Sequence, residues 1–243
     1  MITRNPSLTD QVKSHIKERI AADGFDGGRI PPETELAAEL GVSRTTVRDA
    51  LSRLENEGTV YRRQGAGTFV SEQGLQIKSR LQDIWSYEQV LEDHGYVPSV
   101  RVLSEYETDA DAATVDALDL SEGDTVLVIE KLFLEDDDPV ILTINRIPSH
   151  IISDTDYADD EATPIYEFID QHCDRILSHY LSEIVPVSFD KETAELLGVA
   201  EGTLAVAFDE IGFDQNNRPI VRGTSFFRDD LIRFRMIRRR SGA

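Results

Sequence analysis

The sequence predicts an α+β chain in two parts: a small helical block closed by a two-stranded hairpin, then a larger antiparallel sheet with helices packed on it. Three observations predict it. Residues 7–58 carry three apolar stripes at helical spacing, separated by glycine and proline. Residues 60–70 hold two short strand-like runs around a glycine-rich tip. Beyond residue 126, long apolar runs alternate with turn clusters and short helical patterns, as in an antiparallel sheet covered by helices.

In the first block, Leu8, Val12, Ile16 and Ile20 recur every fourth residue, giving one buried stripe on a helix that ends near Asp23 and Gly24. Gly27, Gly28 and Pro31 interrupt the pattern. Pro32 then suits a first helical position, and Leu36, Ala37 and Leu40 form a short apolar face stopped by Gly41. After the Gly41-Val42 turn, Ser43 is placed to cap a third helix, with Val42 and Val47 spaced as a hydrophobic staple. Val47, Ala50, Leu51 and Leu54 make its buried stripe, and Gly58 ends it. Val60 to Arg63 and Thr68 to Val70 then read as strands around Gln64-Gly65-Ala66-Gly67.

Two helices joined by a short glycine-containing turn form a helix-turn-helix, whose second helix can enter the major groove of DNA. At 100° per residue, Arg44, Thr45 and Arg48 share an arc near the start of the third helix, where side chains reach base edges. Arginine there bonds guanine bidentately or neutralises phosphate. The hairpin reads as a wing: its glycines let backbone amides approach a phosphate, and Arg62 and Arg63 put positive charge at its base.

In the second block, Ser71 to Ser79 reads as a linker, which sets the expected domains at residues 1–74 and 75–243. Leu81 to His94 reads as a helix closed by Gly95, and Asp111 to Leu118 as another. Val126 to Leu134 and Val140 to Ile147 are buried strands around the charged turn Glu135 to Pro139. Pro164 to Asp170 starts a helix, Tyr180 to Pro186 and Leu204 to Phe213 are strands, Lys191 to Leu197 is a helix, and Ile220 to Arg228 is the last strand.

Charge separates the two blocks. Up to Gly74 there are 10 Lys and Arg against 11 Asp and Glu, a net of −1; the remainder has 15 against 35, a net of −20. The 46 acidic residues therefore do not exclude nucleic acid as a partner of the first block. Five lysines, twenty arginines and 25 aspartates suit a protein kept soluble in concentrated salt, with an ordinary acidic protein as the alternative. The single cysteine, Cys173, excludes an intramolecular disulfide, and no apolar run of 18 residues or signal-peptide pattern exists, so a cytoplasmic protein without membrane association is expected. There is no P-loop, Gly-x-Ser-x-Gly or dinucleotide-binding fingerprint. His172 and His179 have the spacing to share a helix face, but with Cys173 they read as packing and surface residues, so no metal and no cofactor is expected.

The first block resembles the GntR-type winged-helix transcription regulators. The resemblance is carried by Ile30 to Ala37 (IPPETELA), Gly41 to Leu51 (GVSRTTVRDAL), Leu54 to Gly58 (LENEG) and Gly65 to Val70 (GAGTFV). It implies operator contact by Arg44, Thr45, Thr46, Arg48 and Gly67, which joins Ser43, Arg62, Arg63 and Gly65 in the expected DNA-binding set. Two positions depart from the family: its usual arginine at the start of the second helix is Thr34, and its usual wing lysine is Ala66.

The second block looks like the UTRA effector domain of the HutC branch, on Ser86-Tyr87, His94-Gly95, Pro139 to Pro148, Pro164-Ile165-Tyr166, Leu196 to Val199 and Phe227 to Phe234. That resemblance implies a chorismate-lyase-like fold, a small-molecule pocket over the sheet and a homodimer. It puts the effector contacts at Ser86, Lys131, Phe133, Thr143 and Phe227. Members that bind sugar phosphates tend to carry arginines where this chain has Lys131 and Phe133, an acidic residue at Thr143, a serine at Pro164 and a tyrosine at Phe227. Fewer charge-assisted donors and more apolar area point to a less charged or partly apolar ligand.

The leading expectation is thus an effector-controlled transcription regulator: a dimer on a palindromic double-stranded operator, answering to a small molecule. The alternatives are a DNA-binding protein with a purely dimerising second domain and, further off, a lyase-like enzyme, which fold alone does not establish.

Overall fold

A computed structural model describes residues 7–75, 81, 83–153, 163–228, 232, 234 and 237. They divide into two compact units, with residues 7–75 and 237 in the first and the described residues from 81 to 234 in the second.

The first unit is three helices and a small sheet. Helix α1 (Leu8–Ala21) is capped by Ser7, whose hydroxyl oxygen accepts from the Asp10 amide, and buries Val12, Ile16 and Ile20. Strand β1 (Arg29–Ile30) leads into α2 (Glu33–Leu40), which Pro32 precedes as the capping residue. Gly41 closes α2 at φ +66°, a left-handed conformation that a Cβ disfavours, and so sets the tight turn into α3 (Arg44–Asn56). Val47, Ala50, Leu51 and Leu54 of α3 pack with Leu36 and the α1 stripe into one core, and Val42 packs beside them. Strands β2 (Val60–Arg63) and β3 (Gly67–Val70) form the expected hairpin. The sheet order is β1-β3-β2, with Arg29 opposite Phe69. A two-residue strand set by partners 38 and 40 positions later leaves no local periodicity to read. One helical turn, α4 (Glu72–Leu75), follows.

The second unit is a six-stranded antiparallel sheet. Its strands are β4 (Pro98–Asp109), β5 (Thr125–Glu135), β6 (Asp138–Pro148), β7 (Leu177–Ser188), β8 (Leu204–Asp214) and β9 (Pro219–Phe227), in the order β4-β5-β6-β9-β8-β7. Helix α5 (Tyr87–His94) precedes β4, and α6 (Ala112–Ala117), α7 (Ile165–His172) and α8 (Lys191–Leu196) run between the strands. On one face α5 packs Val90 and Leu91 on Phe133, Ile141, Phe208 and Phe227, while α7 packs Phe168 and Ile169 on Leu127, Ile129 and Ile147. On the other face α8 packs Ala194, with the following Leu197, on Leu132, Leu134 and Leu142. One sheet face thus carries two helices side by side, and space is left between them.

Sequence and structure differ, or add to one another, at three places. The helix expected from Leu81 begins only at Tyr87, because the Ser86 hydroxyl caps it, accepting from the Gln89 amide at 3.1 Å. Strand β4 has no counterpart in the sequence reading: it is an edge strand whose outer half is solvent-exposed, so its apolar alternation fades after Val102, where its register on β5 shifts. His172 ends α7 whereas His179 lies in β7, so they share no helix. Among the described residues no group of three metal-ligating side chains forms. No helix among them is long and apolar enough to cross a membrane.

Candidate nucleic-acid interface and cavity

The start of α3 is organised by Ser43, whose hydroxyl accepts from the Thr46 amide at 3.1 Å and lies 2.8 Å from the Thr46 hydroxyl. This cap fixes the first turn and leaves Arg44, Thr45 and Arg48 exposed. Arg48 is not loose. Its Nε and Nη2 donate to Glu33 Oε2 at 3.2 and 3.0 Å, a two-pronged contact from α2 that aligns the guanidinium.

Most cations of this unit are held by its own carboxylates. Lys13 and Lys17 both reach Glu57, at 2.9 and 2.8 Å; Arg19 pairs with Glu39, Arg53 with Asp10 and Arg62 with Glu55. Arg62 also donates to Ser52 Oγ at 3.2 Å. Among the described residues, Arg29, Arg44 and Arg63 have no carboxylate within ion-pair distance. Arg44 opens α3, and the other two flank the hairpin: Arg63 pairs across from Gly67 and lies over the Phe69 ring at 5.7 Å, while Arg29 stands opposite Phe69 on the other side of β3. The Arg29 guanidinium passes so close to Gly67 that a Cβ there would sit 3.5 Å from Nε. At the tip, Gly65 and Gly67 hold φ of +74° and +119°, so the turn depends on glycine. Arg29 is the cation that sequence reasoning missed; its signal was a lone arginine in the glycine and proline stretch between two helices.

In the second unit a cavity of about 780 Å³ lies on the sheet face between the segment leading into α5 and the start of α7. Its floor is Asn145 of β6, Gly223 and Ser225 of β9, and Phe208 and Glu210 of β8; its sides are Tyr180 and Ser182 of β7, Trp85, Tyr87 and Tyr166. A Cβ on Gly223 would stand 3.0 Å from Asn145 Oδ1, so glycine keeps the floor open. The Tyr87 hydroxyl donates to Ser225 Oγ at 2.6 Å, and Ser182 donates to Glu210 Oε1. Burial pushes the Glu210 carboxyl above the usual range, partly offset by the Ser182 hydrogen bond. Burial also raises the Tyr87 and Tyr180 phenols strongly, with the Glu210 charge adding to it.

None of the five residues expected to hold an effector lines this cavity. Ser86 caps α5. Lys131, Thr143, Ser225 and Phe208 are successive cross-strand partners, so Lys131 and Thr143 continue the cavity's row toward β5, where both are buried. The Lys131 ammonium donates to the Thr163 carbonyl at 2.8 Å. The Phe133 and Phe227 rings meet Tyr87 at 5.2 and 5.7 Å, forming the packed wall behind the cavity. The residues missed are those on β7 and β8, above all Glu210, Tyr180 and Ser182. Their facing positions follow from sheet order and register, which local pattern does not supply.

Comparison with known proteins covers both units. Residues 8–70 match the family described as "Bacterial regulatory proteins, gntR family", and residues 93–233 match the "UTRA domain". The HTH-type transcriptional repressor NagR of Bacillus subtilis is 27% identical over 227 residues, 93% of this chain and 91% of that one. The HTH-type transcriptional regulator Rv0792c of Mycobacterium tuberculosis is 30% identical over 202 residues, 80% of this chain and 71% of that one. Among solved structures, the possible transcriptional regulator YydK of Bacillus subtilis superposes with a TM-score of 0.74 at 14% identity, covering 96% of this chain and 99% of the other, which shows the shared fold.

Proposed function

We propose that this chain, which belongs to the gntR family of bacterial regulatory proteins and carries the UTRA domain, works as a symmetric dimer that holds a palindromic operator and releases it when a small molecule fills the cavity of its second unit. The chain is a DNA-binding transcription regulator controlled by an effector; dimerisation, repression, operator symmetry and the residues that make contact are our reading. A single recognition helix reads only a few base pairs, so two related by a two-fold axis on matching half-sites supply the specificity one lacks. Relatives named as repressors support the negative sign of control.

One observation carries the DNA-binding surface. Of the cations in the first unit, the three without a carboxylate partner among the described residues stand at the start of α3 and on both sides of the hairpin. An unpaired arginine keeps its full charge for phosphate or guanine. Arg44, Thr45 and the Glu33-braced Arg48 approach base edges, while Arg29, Arg63 and the amides around Gly65 and Gly67 hold the backbone. Residues 1–74 bind DNA in this reading, and residues 75–243 bind effector and dimerise in the cytoplasm. The effector acts only through a difference in its affinity for the DNA-competent and released arrangements.

The test is selection of an operator from random duplex DNA by the full chain, then sizing of the complex. A palindromic consensus bound by two chains is expected. A selected site without two-fold symmetry, bound by one chain, would overturn the dimer reading.

A further inference from the structure

The inference concerns the chemical class of ligand and rests on the cavity being the effector site. The ionisable carboxylates on its lining are Asp83 and Glu210, and no lysine or arginine stands among its described lining residues. Lys131 is buried one row away with its ammonium on the Thr163 carbonyl. A phosphate entering this space would meet two carboxylates and no lysine or arginine, with His179, its ring stacked on Phe213 at 5.2 Å, as the one side chain among the described lining residues that can become a cation.

The aromatic lining points the same way. Trp85 lies 5.7 Å from the Tyr87 ring and 6.4 Å from the Phe208 ring, so three π systems gather on one side of the cavity, with Tyr166 and Tyr180 also on its lining. Ring faces carry negative potential and attract cations, most of all where water is excluded. Glu210 supplies a formal charge on β8, held in place by the Ser182 hydroxyl from β7. We propose that the cavity binds an organic cation, an amine or quaternary ammonium, with its charge on Glu210 and its carbon surface against Trp85, Tyr87 and Phe208. Asn145 and Ser225 remain for hydroxyl groups on the same ligand. Burial already disfavours the charge on Glu210, and an arriving cation offsets that penalty, so ligand and carboxylate stabilise one another.

The chain's one tryptophan is Trp85, so its emission reports directly on the cavity. The full chain is titrated with choline, with putrescine, with dimethylbutanol as the uncharged isostere of choline, and with a hexose phosphate; operator binding is followed in parallel. At least one of the two cations is expected to shift Trp85 emission saturably and release operator, with dimethylbutanol weaker than choline by about tenfold or more, the equivalent of one desolvated cation–π contact. Glu210→Gln should bring choline down to the level of its isostere. If that variant does not fold, Trp85→Leu, followed by thermal shift, should weaken both cations by several-fold. Saturable binding of the hexose phosphate with no response to either cation would overturn the cation proposal and leave the cavity as effector site. Silence from all four probes would also overturn it. A cell extract that releases operator without altering Trp85 emission would instead sink the assignment of the cavity as effector site.

Discussion

Replacing Arg29 by alanine should flatten the salt dependence of operator binding. The side chain is exposed and the backbone pairing of Arg29 with Phe69 does not involve it, so the fold is expected to persist. Each phosphate neutralised by a protein cation contributes about 0.9 to the slope of log affinity against log salt. Arg29 and Arg63 are, among the described residues, the two unpaired cations per chain assigned to the backbone, so a dimer on two half-sites has a slope of about −4 if each meets one phosphate. That is shallow for a regulator of DNA, and screening of the net −20 block by salt makes it shallower. Losing Arg29 from both protomers removes about 1.8 from the slope, so the advantage of the parent over Arg29→Ala shrinks roughly tenfold across a fourfold rise in salt. Fluorescence anisotropy on a selected operator measures this, with Lys191→Ala in the second unit as the control. An Arg29→Ala slope equal to that of the parent, with unchanged melting, would remove Arg29 from the interface.

Three further outcomes are expected. Arg44→Ala and Arg48→Ala should each weaken binding to the selected operator by roughly ten- to a hundredfold, the range for arginines that contact bases, and Glu33→Gln should weaken it less, because it removes the brace and leaves the cation; parent-like affinity in both arginine variants would refute the placement of α3. Gly223→Leu should fill the cavity floor against Asn145 and abolish release by effector while the ligand-free protein still binds operator, and a retained effector response would move the site elsewhere. Burial opposes ionisation of Glu57, but hydrogen bonds from Lys17 and Lys13 outweigh it and hold the carboxyl below its usual range. The stability this gives is therefore present above the unfolded carboxyl value near 4.3 and lost as pH falls through the lower folded value, so Glu57→Gln should flatten the acid limb of the first unit's melting by ~1 kcal/mol or less; identical acid limbs would refute it.

What could be read from sequence was what local chemistry controls. Ser43 announces the start of α3 because a hydroxyl before an apolar-periodic run has one favourable use, and Gly41 announces the turn because only a residue without Cβ takes φ of +66° at no cost. The buried hairpin of β5 and β6 was legible because both faces are covered and nearly every residue is apolar. Strand β1 exists only through β3, and β4 only through β5, so the information that makes them strands lies far away in the chain. The start of α5 was misplaced for a different reason: Leu81, Ile84 and Trp85 are apolar at helical spacing, but Leu81 and Trp85 pack into the core as a non-helical segment, and Ser86 takes the cap.

The cavity was illegible for a reason that also explains its chemistry. Phe133 stands two residues after Lys131 on β5, and its ring packs with Phe227 around Tyr87. Those three rings close the β5 side of the sheet face. Lys131, two residues earlier on the same face, turns its ammonium to the Thr163 carbonyl, so this cation becomes part of the wall. The open space is left over β9, β8 and β7, where register brings Gly223 between Asn145 and Glu210 and sets Ser182 beside Glu210. A packed aromatic wall at one edge and a carboxylate at the other set the charge a ligand meets. On this reasoning the position of the space and the sign of its charge share one cause, so Phe133→Arg should both loosen the packing around Tyr87 and weaken a cationic ligand. A variant that melts lower but binds choline as the parent does would separate the two.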